Sequence, residues 1–146
     1  DEPVDLRSVA DTVALRMRAR AAVAVDGGPV QVRGDSLRIE HALSNLVDNA
    51  IKFGGDGVRV STWSHNGESG LAVTDHGPGV PESELPRLFD RLFRGESSRS
   101  REHGGSGLGL SICRATVEAH GGTIDASASP LGGLRLTITL PLAATS

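Results

Sequence analysis

The chain has 146 residues, a formal net charge of -3, a single cysteine and no tyrosine. Its length suits one domain that buries a core without disulfides or metals, and its charge argues against a general nucleic-acid binder. The lone Cys113 excludes an internal disulfide and fits a reducing compartment, and without paired Cys/His spacing a structural zinc site is a poor interpretation. No apolar run is long enough for a membrane span, and the start, without an initiator methionine or signal-peptide pattern, suggests a piece of a longer protein.

The first half of the chain predicts two helices and four strands. In chain order these are a helix over 4–22, strands over 22–25 and 30–33, a helix from a cap at Asp35 to about Phe53, and strands over 58–64 and 71–75. The turn Asp26-Gly27-Gly28-Pro29 predicts that the first two strands form a hairpin. Asn66-Gly67 supplies turn chemistry between the last two strands.

The second half predicts a polar loop between two helical stretches, followed by two more strands. Short helical turns are predicted over 81–93, a Gly-, Ser- and Arg-rich loop over 94–107, a helix over 108–120 that stops at Gly121-Gly122, and strands over 123–127 and 134–140. Strands with helices between them predict an α/β sandwich, with one sheet and helices on one face.

The helix that ends near Phe53 carries a polar stripe opposite an apolar one. At about 100° per residue, Asn45, Asn49 and Lys52 fall within roughly 60° of one another. The other side carries Ile39, Leu43, Leu46 and Ala50. Amide oxygens suit a Mg²⁺ ion that shares its other ligands with a polyphosphate, whereas a carboxylate would repel the phosphates. Taken singly, each polar residue is better explained as part of a solvated helix face.

Two further segments place glycines beside candidate ligand-binding groups. Asp75 ends a strand and is followed by Gly77 and Gly79; its carboxylate can accept a hydrogen bond from an exocyclic amine, and the glycines let a flat ring approach the backbone. The glycine loop 104–110 runs into a helix, which directs free backbone N–H groups at a phosphate. In isolation, an ordinary turn is the better explanation of the Asp75 segment, and a flexible surface loop has the same appearance as the glycine loop.

Together, and in this order, the three segments resemble the Bergerat-fold ATP-binding domains of gyrase-type topoisomerases, heat-shock chaperone ATPases, mismatch-repair ATPases and sensor histidine kinases. The kinase motifs correspond to an N box at 45–53, a G1 box at 75–79, an F box at 88–94, a G2 box at 105–110 and a closing pattern from His120 to Pro141 that includes Gly132-Gly133. The resemblance covers nearly the whole chain and implies an α+β two-layer sandwich, with a mixed, mainly antiparallel sheet and helices packed on one face. The Ala-, Arg- and Gly-rich composition suggests an actinobacterial kinase of the PrrB type.

The resemblance implies ATP and Mg²⁺ as ligands and gives roles to the residues of the boxes. Asn49 and its companion Asn45 are the implied metal ligands, Lys52 contacts phosphate, and Asp75 binds the adenine amine. Arg94 matches the F-box arginine that reaches the γ-phosphate, where a guanidinium offsets charge that develops during transfer. The other implied nucleotide-binding positions are Phe53, Gly77, Gly79, Gly105, Gly107, Leu108, Gly109 and Leu110.

Two further expectations concern the loop 94–107 and the pair Leu134 and Arg135. The loop 94–107 has the length and composition of a lid over the nucleotide. Leu134 and Arg135 stand where many relatives carry a small hydroxyl residue near the adenine, so their contact with the nucleotide stays unassigned.

Asn45 indicates which branch of the superfamily the chain resembles. The ATPases, and the serine kinases that act on anti-anti-sigma factors, carry a glutamate there as general base. An amide takes up no proton at neutral pH, whereas a histidine acceptor already has a nucleophilic nitrogen. The resemblance therefore implies a protein-histidine kinase. An ATPase of the same superfamily and a catalytically degenerate nucleotide-binding module remain as alternatives.

The phosphate-accepting histidine is expected outside this chain. In the family pattern, the accepting histidine is followed by an acidic residue, Arg, Thr and Pro. This pattern follows none of the five histidines of the chain, which are His41, His65, His76, His103 and His120. Autophosphorylation of this fragment is therefore not expected. His41 and His120 are predicted on helix surfaces, and Cys113 in the core.

The resemblance also implies partners and a location. The partners are the kinase's own dimerisation and phosphoacceptor domain and, downstream, a response regulator, with no nucleic acid. The implied location is the cytoplasmic side of a membrane-anchored sensor. The whole protein is expected to be a homodimer and the fragment a monomer.

Overall fold

A computed structural model describes residues 2–54, 57–77, 83, 108–129 and 132–142. In chain order these contain β1 (Glu2–Asp5), α1 (Leu6–Met17), β2 (Val23–Asp26), β3 (Gln31–Gly34), α2 (Ser36–Gly54), β4 (Val58–His65), β5 (Glu68–Thr74), α3 (Leu108–Ala119), β6 (Thr123–Ala128) and β7 (Leu134–Pro141). Apart from Ser83, the helical turns predicted over 81–93 and the loop predicted over 94–107 lie outside the described residues. No helix in the described ranges is long and apolar enough to cross a bilayer.

Five strands form a mixed sheet in the order β2-β4-β5-β7-β6, while β1 and β3 pair separately. Only the β2–β4 pair is parallel within these two described sheets. The turn at Asn66-Gly67 joins β4 to β5 with φ of 51° and 81°, which is the left-handed geometry that tight hairpins favour. The α+β class, the β4–β5 hairpin and the positions of α2, α3, β6 and β7 are therefore confirmed.

The hairpin predicted over 22–33 is wrong. β2 lies parallel to β4, with Val23 opposite Val58, and β3 pairs antiparallel with β1. The predicted turn segment instead contacts β4, because the Gly28 carbonyl accepts a hydrogen bond of 2.7 Å from the Thr62 hydroxyl. The prediction of one sheet is corrected to a five-stranded sheet plus a two-stranded one.

The first helix is shorter than the predicted 4–22. It begins at Leu6 because Asp5 caps it, with Oδ1 accepting the backbone N–H of Arg7 at 3.1 Å. The same oxygen accepts the N–H of Val30, also at 3.1 Å, so the cap ties α1 to the approach of β3. The residues before Asp5 belong to β1, where Pro3 is compatible with extended backbone.

The core lies between the five-stranded sheet and the three described helices. Alternate side chains point to this face, and Val60, Val73 and Leu136 occupy facing positions on neighbouring strands, each at most 2% exposed. The apolar stripe of α2 packs here as predicted, through Ile39, Leu43, Leu46 and Ala50.

Cys113 lies in this core, as predicted, with no exposed surface. Burial raises its thiol pKa from 9.0 to about 12. The thiol of the unfolded chain therefore ionises at a lower pH than that of the folded chain, so stability falls as the pH rises from 9 towards 12. Few other groups titrate in this window, because the chain has no tyrosine and a single lysine.

We expect the urea midpoint of the protein to fall between pH 9 and pH 11, and the fall to be much smaller in Cys113→Ala. Urea unfolding followed by circular dichroism at both pH values measures this. An equal fall in the two proteins would contradict the assignment of the alkaline transition to Cys113.

His120 is not the helix-surface residue that the sequence predicts. Its Nδ1 lies 2.8 Å from the Thr116 carbonyl oxygen, and its Nε2 lies 3.1 Å from the backbone nitrogen of Asp35. Because a carbonyl only accepts, Nδ1 carries the proton and Nε2 accepts the Asp35 N–H. Asp35 in turn caps α2, since its Oδ1 accepts the N–H groups of Leu37 and Arg38 at 3.1 and 3.2 Å. His120 therefore joins the end of α3 to the start of α2.

We expect His120→Ala to lower the free energy of unfolding by about 1 kcal/mol, the usual net contribution of one hydrogen bond, because the bond between the two helices is lost. His41→Ala is the matched control, since His41 is an exposed histidine of α2 and its removal should change stability by less than about 0.5 kcal/mol. Chemical denaturation of both variants tests this difference. Equal effects would show that the His120 bridge contributes nothing.

Candidate functional site

The polar stripe of α2 lies where the sequence predicts it. Asn45, Asn49 and Lys52 are all half-buried, on the side of the helix away from the fully buried Leu43 and Leu46. Asn45 and Asn49 are one turn apart, so their amides lie on the same face. The helix thus presents neutral oxygen donors and one cation along a single line.

Asp48 lies beside the polar stripe of α2 and was not among the residues predicted from the sequence. One carboxylate oxygen, Oδ2, lies 3.3 Å from the Lys52 ammonium, and the other, Oδ1, pairs with Arg20 of the segment after α1. The i,i+4 spacing of Asp48 and Lys52 was a visible signal for the first pair. Lys52 is therefore held by a carboxylate at the edge of the polar stripe.

Asp75 directly follows β5 and is 6% exposed. It continues the row of Leu71 and Val73, so its side chain lies on the helix side of the sheet. Oδ1 accepts the backbone N–H of Gly77 at 2.9 Å and that of Leu134 at 3.2 Å. The Asp75 N–H donates to the Leu134 carbonyl at 3.1 Å. Two hydrogen bonds to Oδ1 orient this carboxylate, and the backbone hydrogen bond fixes the residue that carries it.

Gly133 makes this arrangement possible. Its φ is 82°, and a Cβ atom there would lie 2.3 Å from the Asp75 carbonyl oxygen and 2.5 Å from Asp75 Oδ1. Any other residue would displace the carboxylate. The sequence showed Gly132-Gly133 before the last strand, but a contact between Asp75 and the backbone 59 positions later is not visible in a local pattern.

The structure brings part of the predicted site together. α2 packs against β5, so the helix that carries the polar stripe lies beside the strand that leads to Asp75. α3 begins at Leu108, where the sequence predicts the glycine loop to enter a helix, and Leu110 is 8% exposed and joins the core. Phe53, Leu108 and Gly109 are in described helices, but their side chains are not described. Gly79, Arg94, Gly105 and Gly107 lie outside the described residues.

The fold and the site together define a class of nucleotide-binding domain. Helices cover one face of a mixed sheet, a fixed carboxylate lies at a strand end, and an amide-bearing helix lies beside it. The profile of the histidine kinase-, DNA gyrase B-, and HSP90-like ATPase family matches residues 34–144. The chain therefore belongs to this family.

Sensor histidine kinases stand out among the relatives. The chain is 44% identical over 137 residues to the signal transduction histidine-protein kinase AfsQ2 of Streptomyces coelicolor, covering 91% of this chain and 25% of AfsQ2. The mycobacterial sensor histidine kinase MprB has a solved structure that matches with a TM-score of 0.82 and 35% identity, over 99% of both chains. The ATP-binding domain of PrrB from Mycobacterium tuberculosis matches with a TM-score of 0.80 and 29% identity, over 98% of both chains.

These matches confirm the resemblance to the catalytic domain of sensor histidine kinases. They include proteins of Streptomyces, Mycobacterium, Escherichia coli and Bacillus subtilis, so the actinobacterial origin stays a prediction, and PrrB is one of several similar domains. The chain spans about a quarter of the length of the curated relatives AfsQ2 and BaeS of Escherichia coli.

Proposed function

We propose that this domain binds Mg²⁺-ATP and donates the γ-phosphoryl group to a histidine on a separate helical dimerisation domain, as the catalytic domain of a membrane-anchored sensor kinase. Residues 1–146 form one ATP-binding domain in this proposal. The observation that carries it is the fixed Asp75 carboxylate, held by backbone groups of Gly77 and Leu134 and approached closely by Gly133.

Asp75 suits recognition of adenine. Both backbone donors bind Oδ1, so we assign the acceptance of the exocyclic amine to Oδ2. A carboxylate whose orientation is set by the protein loses little conformational entropy when the ligand arrives. A charged acceptor also forms a stronger bond to the amine than a neutral one.

The stripe of α2 suits the polyphosphate. Asn45 and Asn49 would hold Mg²⁺ through amide oxygens, which add no negative charge beside the phosphates. Lys52 would contact a phosphate oxygen, and the ligand would then compete with Asp48 for its ammonium. When bound, the metal would neutralise negative charge on the polyphosphate. Gly105, Gly107 and Arg94 keep their roles from the family resemblance.

The reaction moves one phosphoryl group. A neutral imidazole nitrogen of the acceptor histidine forms the new N–P bond while the bond between the γ-phosphorus and the bridging oxygen breaks, and ADP leaves with that electron pair. The acceptor needs no general base within this domain, because its nitrogen lone pair is available at neutral pH. Asn45 cannot activate water, so hydrolysis by the isolated domain should be slow. The response regulator would receive the phosphoryl group afterwards.

The test separates binding from chemistry. ATP with Mg²⁺ should raise the melting temperature of the domain, because a ligand of the folded state stabilises it by mass action. Phosphate release should stay near background and no acid-labile phosphohistidine should form on this chain. Fusion behind the dimerisation domain of AfsQ2 should then yield phosphohistidine on that domain from labelled ATP.

Two results would contradict the proposal. Rapid ATP hydrolysis by the isolated domain would favour an ATPase of the same family. Tight ATP binding without transfer in the fusion, while the same fusion carrying the native AfsQ2 catalytic domain is active, would favour a nucleotide-binding module that has lost catalysis.

A further inference from the structure

Three residues of alternating charge join the segment after α1 to the polar stripe of α2. The Asp48 carboxylate lies in the middle, with Oδ1 2.5 Å from Arg20 Nη1 and Oδ2 3.3 Å from the Lys52 ammonium nitrogen. Each oxygen of this carboxylate therefore has a cation of its own. Two cations and one anion leave a net charge of +1, so Arg20, Asp48 and Lys52, which we call the charge trio, still attract an anion.

Arg20 is held by the turn that follows α1. Its backbone N–H donates to the Met17 carbonyl oxygen at 2.8 Å, and its Nη1 donates to Met17 Sδ at 3.5 Å. The N–H of Ala21 donates to the same carbonyl oxygen at 3.0 Å. The guanidinium that binds Asp48 is therefore anchored outside the helix that carries the polar stripe.

The order of side chains around α2 places Lys52 between Asp48 and the amides. At about 100° per residue, Asp48 is roughly 40° from Lys52 and roughly 100° from Asn49. A polyphosphate that reaches Lys52 from the side of the amides therefore has the Asp48 carboxylate close behind the ammonium. Without a second cation, that carboxylate would bind the ammonium and repel the phosphates.

A second ion pair between α1 and α2 lies elsewhere along the helix. Arg16 pairs with Glu40, and this pair has the same chemistry as that of Arg20 with Asp48. Glu40 precedes Lys52 by more than three helical turns, which is roughly 18 Å along the helix axis. Charges so far apart at the surface are largely screened from each other by salt. Arg16 is therefore a matched control for Arg20.

We propose that Arg20 is a positioning residue for phosphate binding: it holds Asp48 and offsets its charge, so that the Lys52 ammonium stays available to a phosphate oxygen. This inference rests on the proposed function, in which Lys52 contacts the polyphosphate. Without Arg20, Asp48 would pair with Lys52 alone, and the two would have no net charge. A phosphate that drew Lys52 away would then leave an uncompensated carboxylate beside itself.

Arg20→Gln tests the role of the guanidinium by calorimetric titration with Mg²⁺-ATP. We expect the affinity at low salt to fall about three- to tenfold, because one positive charge near the phosphates is lost. The loss should shrink at about 0.5 M salt, where charges are screened. Arg16→Gln removes the same charge and the same kind of ion pair and should leave the affinity unchanged at both salt concentrations.

The double variant Arg20→Gln/Asp48→Asn separates an electrostatic role from a structural one. It removes both partners, so Lys52 again supplies a net charge of +1, and the affinity should return to within about twofold of the parent value. Asp48→Asn alone should bind ATP no more weakly than the parent. This single variant also tests the inference if Arg20→Gln does not fold.

The single lysine of the chain provides a second readout. Labelling with ¹³C-lysine gives one ε-methylene resonance, which reports the surroundings of the Lys52 ammonium. In the absence of nucleotide, Arg20→Gln should shift this resonance, because Asp48 then pairs with Lys52 alone. Arg16→Gln should leave it in the parent position, and Mg²⁺-ATP should shift it in the parent.

Four results would overturn the inference although ATP binds the parent protein. They are equal affinities of Arg20→Gln and Arg16→Gln, a loss that does not change with salt, a double variant as weak as Arg20→Gln, and weaker binding by Asp48→Asn alone. Failure of the parent to bind ATP is a different outcome, because it would contradict the proposed function and this inference together.

Discussion

Asp75→Asn should weaken ATP and ADP by the same factor. The substitution keeps an Oδ1 that can accept the N–H groups of Gly77 and Leu134, but it replaces the second oxygen by an NH₂ group. A donor then faces the donor of the adenine amine, and a charge-assisted hydrogen bond is lost. We expect a loss of about 1–3 kcal/mol, which is roughly 5- to 150-fold in Kd.

Calorimetric titration of both nucleotides measures this effect. Asp11→Asn is the matched control, because it removes one exposed carboxylate from α1 and should leave both affinities unchanged. Unchanged affinity in a folded Asp75→Asn protein would show that the carboxylate does not contact the nucleotide. A loss confined to ATP would place Asp75 near the phosphates instead.

Asn49→Ala should remove the dependence of ATP affinity on Mg²⁺. The amide is half-buried on α2 and alanine is the best helix former, so the fold should persist. We expect the ratio of Kd values measured without and with Mg²⁺ to approach one. Phosphotransfer in the fusion protein should fall by at least about a hundredfold, since metal stabilisation of a transferred phosphoryl group contributes several kcal/mol.

The control for this variant is Asn66→Gly, which removes an amide from the β4–β5 turn at a position whose φ of 51° suits glycine. It should keep the full response to Mg²⁺. If Mg²⁺ still tightened ATP binding to Asn49→Ala as it does in the parent, the metal ligand would have to be another residue. Asn45→Ala would then be the next variant to measure.

The elements that local sequence patterns predicted correctly are those whose stabilising contacts are themselves local. α2 has a capping Asp35 and a clear apolar stripe, and the β4–β5 hairpin has a turn that only a few residue pairs can form. The hairpin predicted over 22–33 failed for the opposite reason. Its glycines are compatible with a turn, but β2 pairs in parallel with β4, and β3 and α2 lie between these two strands in the sequence. A local pattern does not show such a distant partner.

The candidate site divides in the same way. Asn45, Asn49 and Asp75 were predicted as site residues from their spacing and from the glycines after Asp75, and their contacts with a nucleotide stay predictions. The backbone of Leu134 and the space that Gly133 leaves beside Asp75 were not, because both come from a strand far along the chain. The structure shows the backbone of Leu134 bound to Asp75, while its contact with the nucleotide stays unassigned. Its side chain is 9% exposed and belongs to the core.

Within the described part of the chain, the two edge strands of the five-stranded sheet carry features that disfavour pairing with another chain. β2 has only four residues and ends in Asp26, while β6 carries Asp125, and the two carboxylates lie at opposite ends of one row across the sheet. A free edge offers unpaired N–H and C=O groups to another chain, and short strands with charged residues disfavour that pairing. A strand added at either edge would meet a carboxylate, so aggregation by edge-to-edge pairing of two chains is disfavoured.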